Sequence, residues 1–178
     1  MKKTMLVSLS LMMALLSPFA KADGGRYQIE MLVFSQSLPT TEVFDQTESH
    51  IQWPTALTEL SAYQQLDATA LKEGASALFK DVAYQPIAHF AWVQSTGMGN
   101  VILPVHIQSV DGKLDGYVQL RKTQGFELII DLEQKSSQAD RSGKLYLYRL
   151  NEKRSIKLNE IQYFDHPKMG VLVRVNGI

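Results

Sequence analysis

The chain has 178 residues, with 18 basic and 18 acidic side chains and no cysteine. The absence of cysteine excludes disulfides, thiol nucleophiles and a lipid on a terminal cysteine. The balanced charge, without a run of basic residues, argues against nucleic-acid binding and against electrostatic attachment to an anionic membrane.

The first 22 residues have the three parts of a secretory signal peptide. Two lysines precede an apolar stretch over residues 5–16, and small residues follow at Ala20 and Ala22. The stretch of about 12 residues is shorter than the roughly 20 that a membrane-spanning helix needs. We therefore expect a signal peptide over residues 1–22, cleavage after Ala22, and export of one unanchored domain, residues 23–178.

The first half of this domain predicts one strand, a long loop and one helix. Tyr27–Phe34 alternates and becomes apolar on both faces, which indicates a strand in the middle of a sheet. Ser35–Gln65 is polar and irregular around Trp53, which predicts a long surface loop. Over residues 67–81 the apolar positions follow the helical period, so we expect an amphipathic helix packed on the sheet, with Asp67 as its N-cap.

The second half predicts strands almost throughout, interrupted by a polar loop over residues 134–143. Six segments alternate or are continuously apolar: 84–94, 101–107, 114–120, 126–132, 145–148 and 156–163. Turn residues at Asp111–Gly112 and Gln124–Gly125 favour hairpins, and a phase slip near Asn159 indicates a bulge. The predicted fold class is α+β, mainly an antiparallel meander with one packed helix. Alternation leaves open whether the sheet closes partly into a barrel.

A cluster of turn residues lies near the end of the sequence. Asp165 can hydrogen-bond the backbone, Pro167 fixes φ, and Gly170 tolerates a positive φ. We therefore expect a tight turn between two strands, with His166 at its tip. Turn formation alone is one explanation of this cluster, and a contribution to binding is the other.

Short motifs of exported hydrolases are absent from the sequence. Neither Ser-x-x-Lys nor Gly-x-Ser-x-Gly occurs, and the four histidines lack a zinc-binding spacing. A glycosidase would need two carboxylates about 5 to 10 Å apart, for which Glu160, Asp165 and Asp131 are candidates that sequence cannot place. We predict a non-catalytic protein without metal or cofactor, and keep a lytic glycosidase as an alternative.

Basic and aromatic side chains suggest a binding surface. Arg154 offers a planar fork for a carboxylate, Tyr163 offers a flat apolar face with a polar hydroxyl, and the turn places His166 nearby. We predict that these three side chains, with Trp92 as a fourth member, bind a polymer of sugars that bears acidic peptides. Strict alternation puts His89 and Trp92 on opposite faces of their strand, and a strand tryptophan is more often a core residue.

Three segments occur in order along the chain: Tyr27–Phe34, His89–Gln94 with the pattern His-x-x-Trp-x-Gln, and Lys153–Arg154 followed by Glu160–Gly170 with Glu-x-x-Tyr and Asp-His-Pro. Together they resemble the CsiV family of periplasmic, peptidoglycan-binding cell-shape proteins. The chain departs from the family pattern at three positions: Lys153, Gln162 and Met169.

This resemblance implies a non-catalytic protein of a Gram-negative periplasm that binds peptidoglycan and supports cell-wall assembly and cell shape. It also implies a peptidoglycan synthase, or the activator of one, as a partner. Two alternatives remain open at this point. One is a periplasmic protein-interaction module that acts on such a synthase without binding glycan, and the other is the lytic glycosidase.

Overall fold

The computed structural model describes residues 25–67, 70–97 and 101–178, so the expected signal peptide lies outside the described residues. This part of the chain contains ten strands and one short α-helix. The strands are β1 (Arg26–Gln36), β2 (Thr58–Glu59), β3 (Gln64–Gln65), β4 (Tyr84–Ser95), β5 (Val105–Gln108), β6 (Leu114–Lys122), β7 (Phe126–Ala139), β8 (Leu145–Ile156), β9 (Ile161–His166) and β10 (Met169–Gly177). The helix is α1 (Ala70–Ala75), and 3₁₀ turns cover Leu60–Ala62 and Leu78–Lys80.

The ten strands form two five-stranded sheets. The first sheet has the order β3-β4-β1-β10-β9 and the second has the order β2-β5-β6-β7-β8. All neighbours are antiparallel except β2 and β5. The prediction of a largely antiparallel fold is confirmed, and β1 lies in the middle of its sheet as expected. The single meander and the partly closed barrel are wrong, because the described strands divide between two sheets that do not close on each other.

The chain changes sheets between β8 and β9. Asn159, in the connecting turn, has a φ of 66°, which asparagine tolerates better than most residues. The apolar phase slips between Leu158 and Ile161 because this turn carries the chain from the second sheet to the first. The predicted bulge is therefore a turn.

Alternate residues of both sheets meet in one hydrophobic core. From β1 the odd-numbered side chains point inward, as Ile29 and Met31 show, and both are fully buried. The second sheet contributes the even-numbered positions of β6 and β7, including Val118 and its partner across the ladder, Ile130. Burying each such side chain contributes about 1.5–3 kcal/mol, so this shared core holds the sheets together without a crosslink.

The helix is shorter than the sequence pattern predicts. Its buried side chains, Leu71 and Ala75, pack against Leu32 on the outer face of the first sheet. Ser76 ends the helix by donating its hydroxyl to the Glu73 carbonyl oxygen at 2.7 Å. No helix in the described residues is long and apolar enough to cross a membrane.

A buried carboxylate from β1 joins the helix to this sheet. Glu30 is 3% exposed, and one of its oxygens accepts the Leu71 backbone N–H at 2.9 Å. The same oxygen lies 2.9 Å from His89 Nε2. The sequence predicts Asp67 as the N-cap, but residues 68 and 69 lie outside the described part. The contact seen at the start of the helix is the one with Glu30.

The loop predicted over residues 35–65 is shorter in the structure, because β1 continues to Gln36 and the two short strands β2 and β3 form within its last part. The remaining loop, residues 37–57, is attached to the outer face of the second sheet. Glu133 of β7 accepts the Gln46 side-chain amide and the His50 backbone N–H, each at 2.8 Å. Further along the loop, the Gln52 backbone N–H donates to Asp131 at 3.3 Å. Two buried carboxylates of one strand therefore fix the course of this loop.

Asp131 also forms a buried ion pair within the second sheet. It is fully buried, and its two oxygens accept Arg149 Nε and a terminal nitrogen of Arg149, each at 2.8 Å. Hydrogen bonding to Asp131, against a smaller opposing effect of burial, raises the pKa of Arg149 above its ordinary value. The bidentate geometry supplies both oxygens of the carboxylate with a charged donor.

The polar loop expected over residues 134–143 is mostly strand. β7 continues to Ala139, and only residues 140–144 connect it to β8. The pairing with β8 is irregular between Lys135 and Ala139, so Ser136–Gln138 bulges out of the ladder. The polar composition reflects this exposed, irregular end of the strand and does not mark a loop.

Candidate functional site

Arg154, predicted to bind a carboxylate, lies where the two sheets meet. Its Nε donates to Glu152 at 2.9 Å, and a terminal nitrogen donates to the Tyr163 carbonyl oxygen at 2.7 Å. The guanidinium also lies 4.7 Å from the centre of the Phe164 ring. Although 41% of the side chain is exposed, its donors link β8 to β9, and an incoming carboxylate would compete with Glu152.

Tyr163 lies on the outer face of the first sheet. Its ring stacks on Phe34 with the ring centres 6.3 Å apart, and its hydroxyl donates to Asp165 at 2.6 Å. Burial, followed by the hydrogen bond to Asp165, raises the pKa of Tyr163 to about 12. The hydroxyl is therefore a protonated donor at neutral pH, and Asp165 already occupies it.

His166 lies on the other face of β9 from Tyr163, because the two are three residues apart on one strand. Its ring is half buried, 5.4 Å from the Phe44 ring and 6.1 Å from the Tyr148 ring. The turn itself consists of Pro167 and Lys168, so His166 ends β9 and is not at the tip.

Gly170 lies within β10, and its φ is not positive. The Phe34 ring occupies the space that a Cβ at this position would need. The glycine is therefore required by close packing, and the expected turn conformation is wrong.

Trp92 is fully buried in the core. Its indole N–H donates to Gln94 at 3.2 Å, so the polar end of the ring is also occupied inside the protein. A surface polymer cannot reach this ring. Of the four predicted binding residues, the structure brings together only Arg154 and the Tyr163 backbone.

The carboxylates considered for a glycosidase do not converge. Asp131 is buried in the second sheet and paired with Arg149, whereas Asp165 is on the outer face of the first sheet. Glu160 lies in the turn between the sheets, 3.8 Å from Lys157. In the described residues no group of three or more histidine, aspartate or glutamate side chains is arranged to hold a metal ion.

A polar cleft of about 440 Å³ opens at one end of the sandwich. It lies where β1 ends, where β7 forms its bulge, and beside the turn between β9 and β10. The described side chains that line it are lysine, serine, glutamine and tyrosine: Ser35, Gln36, Ser37, Lys113, Gln134, Lys135, Ser136, Ser137, Gln138, Tyr148 and Lys168. We call this the end cleft.

The charge of the end cleft is positive. Three of its lining residues are lysines (Lys113, Lys135 and Lys168), and none of its described lining residues is acidic. Lys113 has one carboxylate nearby, Asp111, at 3.5 Å, and Lys135 Nζ donates to a backbone carbonyl at 3.0 Å. These ammonium groups can therefore attract an anionic ligand.

One buried polar atom in the end cleft has no partner in the described residues. The side-chain oxygen of Gln134 is buried and accepts no hydrogen bond. Buried polar atoms of this kind are rare, since each costs roughly 1–3 kcal/mol when left unpaired. Thr96 Oγ1, Arg174 Nε and Asn176 Oδ1 are unpaired in the same way, so the Gln134 oxygen does not by itself mark a ligand site.

His166 supports the end cleft from behind, because its ring packs on Tyr148, which lines the cleft. Lys168, which also lines the cleft, donates its backbone N–H to His166 Nδ1 at 3.1 Å. One residue of the predicted turn cluster, His166, therefore adjoins the end cleft. It does so from the face of β9 opposite to Tyr163.

Burial lowers the pKa of His166, an effect that Glu42 and Asp165 oppose and Lys168 reinforces. The unfolded chain therefore takes up this proton at a higher pH than the folded protein, so stability is lost as the pH falls through about 6.5. We expect His166→Phe to remove this part of the acid destabilisation. Urea midpoints of wild type and variant, measured from about pH 7.5 to about pH 5.5, test this. A variant whose midpoint falls with pH as steeply as that of the wild type would contradict it.

His106 provides the matched comparison. Burial lowers its pKa, but hydrogen bonds to Asp115 and Glu59 outweigh burial and raise it overall. Its stabilising contribution is present below about 6.5 and is lost as the pH rises through the raised value. His106→Gln should therefore change the pH dependence in the direction opposite to His166→Phe.

Sequence reasoning missed the end cleft as a site. Its three lysines come from different parts of the chain, and the polar composition of the Gln134–Gln138 run is equally typical of a loop. The one available signal is the order of residues in that run, Gln-Lys-Ser-Ser-Gln, which places hydrogen-bonding groups on consecutive positions.

A family model described as "Peptidoglycan-binding protein, CsiV" matches residues 58–178, more than half of the chain. None of the curated proteins and none of the solved structures gives a significant match. The matched region includes β2 to β10 and most of the end cleft, but not β1 or the loop that follows it.

Proposed function

The chain belongs to the CsiV family of peptidoglycan-binding proteins, and we propose that it binds peptidoglycan in the periplasm without cleaving it. The observation that supports this most directly is the end cleft, which combines three lysines with uncharged hydrogen-bonding side chains. We extend the proposal to a supporting role in cell-wall assembly and cell shape, with a peptidoglycan synthase or its activator as partner. That extension rests on the family resemblance.

The chemistry of the end cleft fits the peptide part of the polymer. Stem peptides carry carboxylates, which Lys113, Lys135 and Lys168 can pair, and amide groups, which serine and glutamine side chains can hydrogen-bond. The bulge at Ser136–Gln138 interrupts the pairing of β7 with β8 beside these groups.

Replacing the three cleft lysines by glutamine is expected to weaken binding to purified sacculi by about tenfold or more. Hydrogen bonds to charged groups contribute roughly 1.5–3 kcal/mol each, and about 1.4 kcal/mol corresponds to a factor of ten. The measurement is sedimentation of the variant with sacculi across a concentration series. Wild-type binding should also weaken as salt is raised, because the pairing is electrostatic.

The matched control makes the same charge change away from the cleft, at the exposed Lys80, Lys122 and Lys157. It should bind sacculi as the wild type does. Equal loss in both triple variants would show that only net charge matters, and no loss in either would reject the end cleft.

Arg154→Ala tests the surface first suggested by the sequence, and we expect it to retain binding.

The same preparation separates the alternatives. Release of soluble muropeptides from sacculi by the wild-type protein would overturn the non-catalytic proposal in favour of a lytic glycosidase. A wild-type protein that does not sediment with sacculi at all would favour the interaction module that never contacts glycan.

A further inference from the structure

An exposed tryptophan stands over the outer face of the second sheet. Trp53 is 45% exposed, although it belongs to a loop that is fixed on both sides of it. Ile51 is buried, the Gln52 N–H is bonded to Asp131, and Pro54 restricts the backbone that follows. The ring is therefore held out at the surface by an ordered segment.

Two further rings adjoin Trp53. The His106 ring lies edge-on at 5.5 Å and the Tyr117 ring lies tilted at 6.2 Å. His106 and Tyr117 are direct partners in the pairing of β5 with β6, so both project from the same face of the sheet. The three side chains form an aromatic surface, which we call the aromatic face.

The polar groups beside the aromatic face are carboxylates. His106 Nδ1 lies 2.9 Å from Glu59, and His106 Nε2 lies 2.7 Å from Asp115, so both ring nitrogens are fixed. The side chains of Glu59 and Asp115 are 66% and 40% exposed. They can accept hydrogen bonds from hydroxyl and amide groups, and they repel a carboxylate ligand.

We propose that Trp53 and Tyr117 stack against an uncharged N-acetylated sugar of the glycan strand, at a site separate from the end cleft. An aromatic ring covers the apolar face of a sugar, and the flanking carboxylates take its hydroxyl and amide hydrogens. The two sites have opposite chemistry and therefore bind different parts of the polymer. Sugars bind on the aromatic face and acidic peptides bind in the end cleft. This inference rests on the proposed function.

The two sites are close enough for one polymer to touch both. Lys113, at the end cleft, directly precedes β6, and Tyr117 is four residues further along the chain, which corresponds to at most about 13 Å. Asp115 lies between them and projects from the same side as Tyr117. A glycan strand stacked on the aromatic face would therefore hold its attached peptides near the lysines.

The test uses a peptide-free β-1,4-linked tetramer of N-acetylglucosamine and the intrinsic tryptophan fluorescence of the protein. The chain has two tryptophans, and Trp92 is fully buried, so a ligand-dependent change reports on Trp53. We expect a saturable change in wild type, and weakening by about tenfold or more in Tyr117→Ala. Tyr117→Phe, which keeps the ring, should bind nearly as wild type.

Trp53→Ala removes the fluorescent reporter, so its binding is measured by calorimetry. It should lose affinity for the tetramer by a similar factor, and Trp53→Phe, which keeps a ring in the loop, should retain part of it. Unchanged affinity in Trp53→Ala would overturn the inference. A wild-type protein that sediments with sacculi but gives no response to the tetramer would also overturn it, while leaving the proposed function intact.

The triple lysine variant tests whether tetramer binding is independent of the end cleft. It should lose affinity for sacculi but keep wild-type affinity for the uncharged tetramer. Equal loss for both ligands would contradict two separate sites. Failure of the wild type to bind sacculi at all would instead count against the proposed function.

Discussion

Replacing Arg149 by alanine is expected to lower the free energy of unfolding by about 3–5 kcal/mol. Among the described residues, the fully buried Asp131 would lose both charged donors and keep only the Gln52 backbone N–H. An ionised carboxylate without a partner is costly to bury, and protonating it to avoid that cost also opposes folding. Chemical denaturation of wild type and variant measures the difference directly.

The matched variant replaces both partners, Asp131→Leu together with Arg149→Met. Apolar residues of similar volume often restore the stability that breaking a buried ion pair removes, so this variant should be much more stable than Arg149→Ala. It also removes the acceptor for the Gln52 N–H that fixes the loop before Trp53. We therefore expect restored stability with impaired tetramer binding. Arg149→Ala within about 0.5 kcal/mol of wild type would show that the pair is not important for stability.

Gly116→Ala is expected to destabilise the protein by at least about 2 kcal/mol. The glycine has a φ of +146°, and an added Cβ would collide with the Asp131 carbonyl oxygen and lie 2.8 Å from the Leu132 Cα. Backbone strain and overpacking each cost about 1–3 kcal/mol, and here the obstacle is backbone of the adjacent strand, which cannot rotate away.

Gly125→Ala is the control for this substitution. Gly125 lies between β6 and β7 (the strands that contain Gly116 and Asp131), its φ is not positive, and no atom of the described residues lies within 4 Å of an added Cβ. It should change the unfolding free energy by no more than about 0.5 kcal/mol. Equal effects at the two positions would mean that the strand contact at Gly116 relaxes freely.

Local patterns predict strands well, because alternation follows directly from which face of a strand is buried. The segments around Ile29 and Val118 are recognisable for this reason, and both form core strands. Alternation does not say which strand is the neighbour. The chain passes between the two sheets at several connections, and at one of them, the turn at Asn159, the sequence resembles a bulge as much as a crossing.

The candidate site is harder to predict than the fold. Tyr163 and His166 are three residues apart, so once they belong to one strand they must lie on opposite faces, and they cannot form one surface. For Trp92 the alternative to a binding role was a core position, and the core is where it lies. The lysines of the end cleft are far apart in the sequence, and only the tertiary fold brings them together.

The pairing of β1 with β10 places the first and last described strands next to each other in the centre of one sheet. Strands β5 to β8 are consecutive neighbours, so the second sheet can assemble from local hairpins as the chain is made. The first sheet cannot be completed until β10 is available, because β10 lies between β1 and β9. Closing so long a segment of chain is slow. We therefore expect the joining of these two strands to be the last step of folding, and a chain truncated before Met169 to lack both the completed first sheet and the β10 side chains of the shared core.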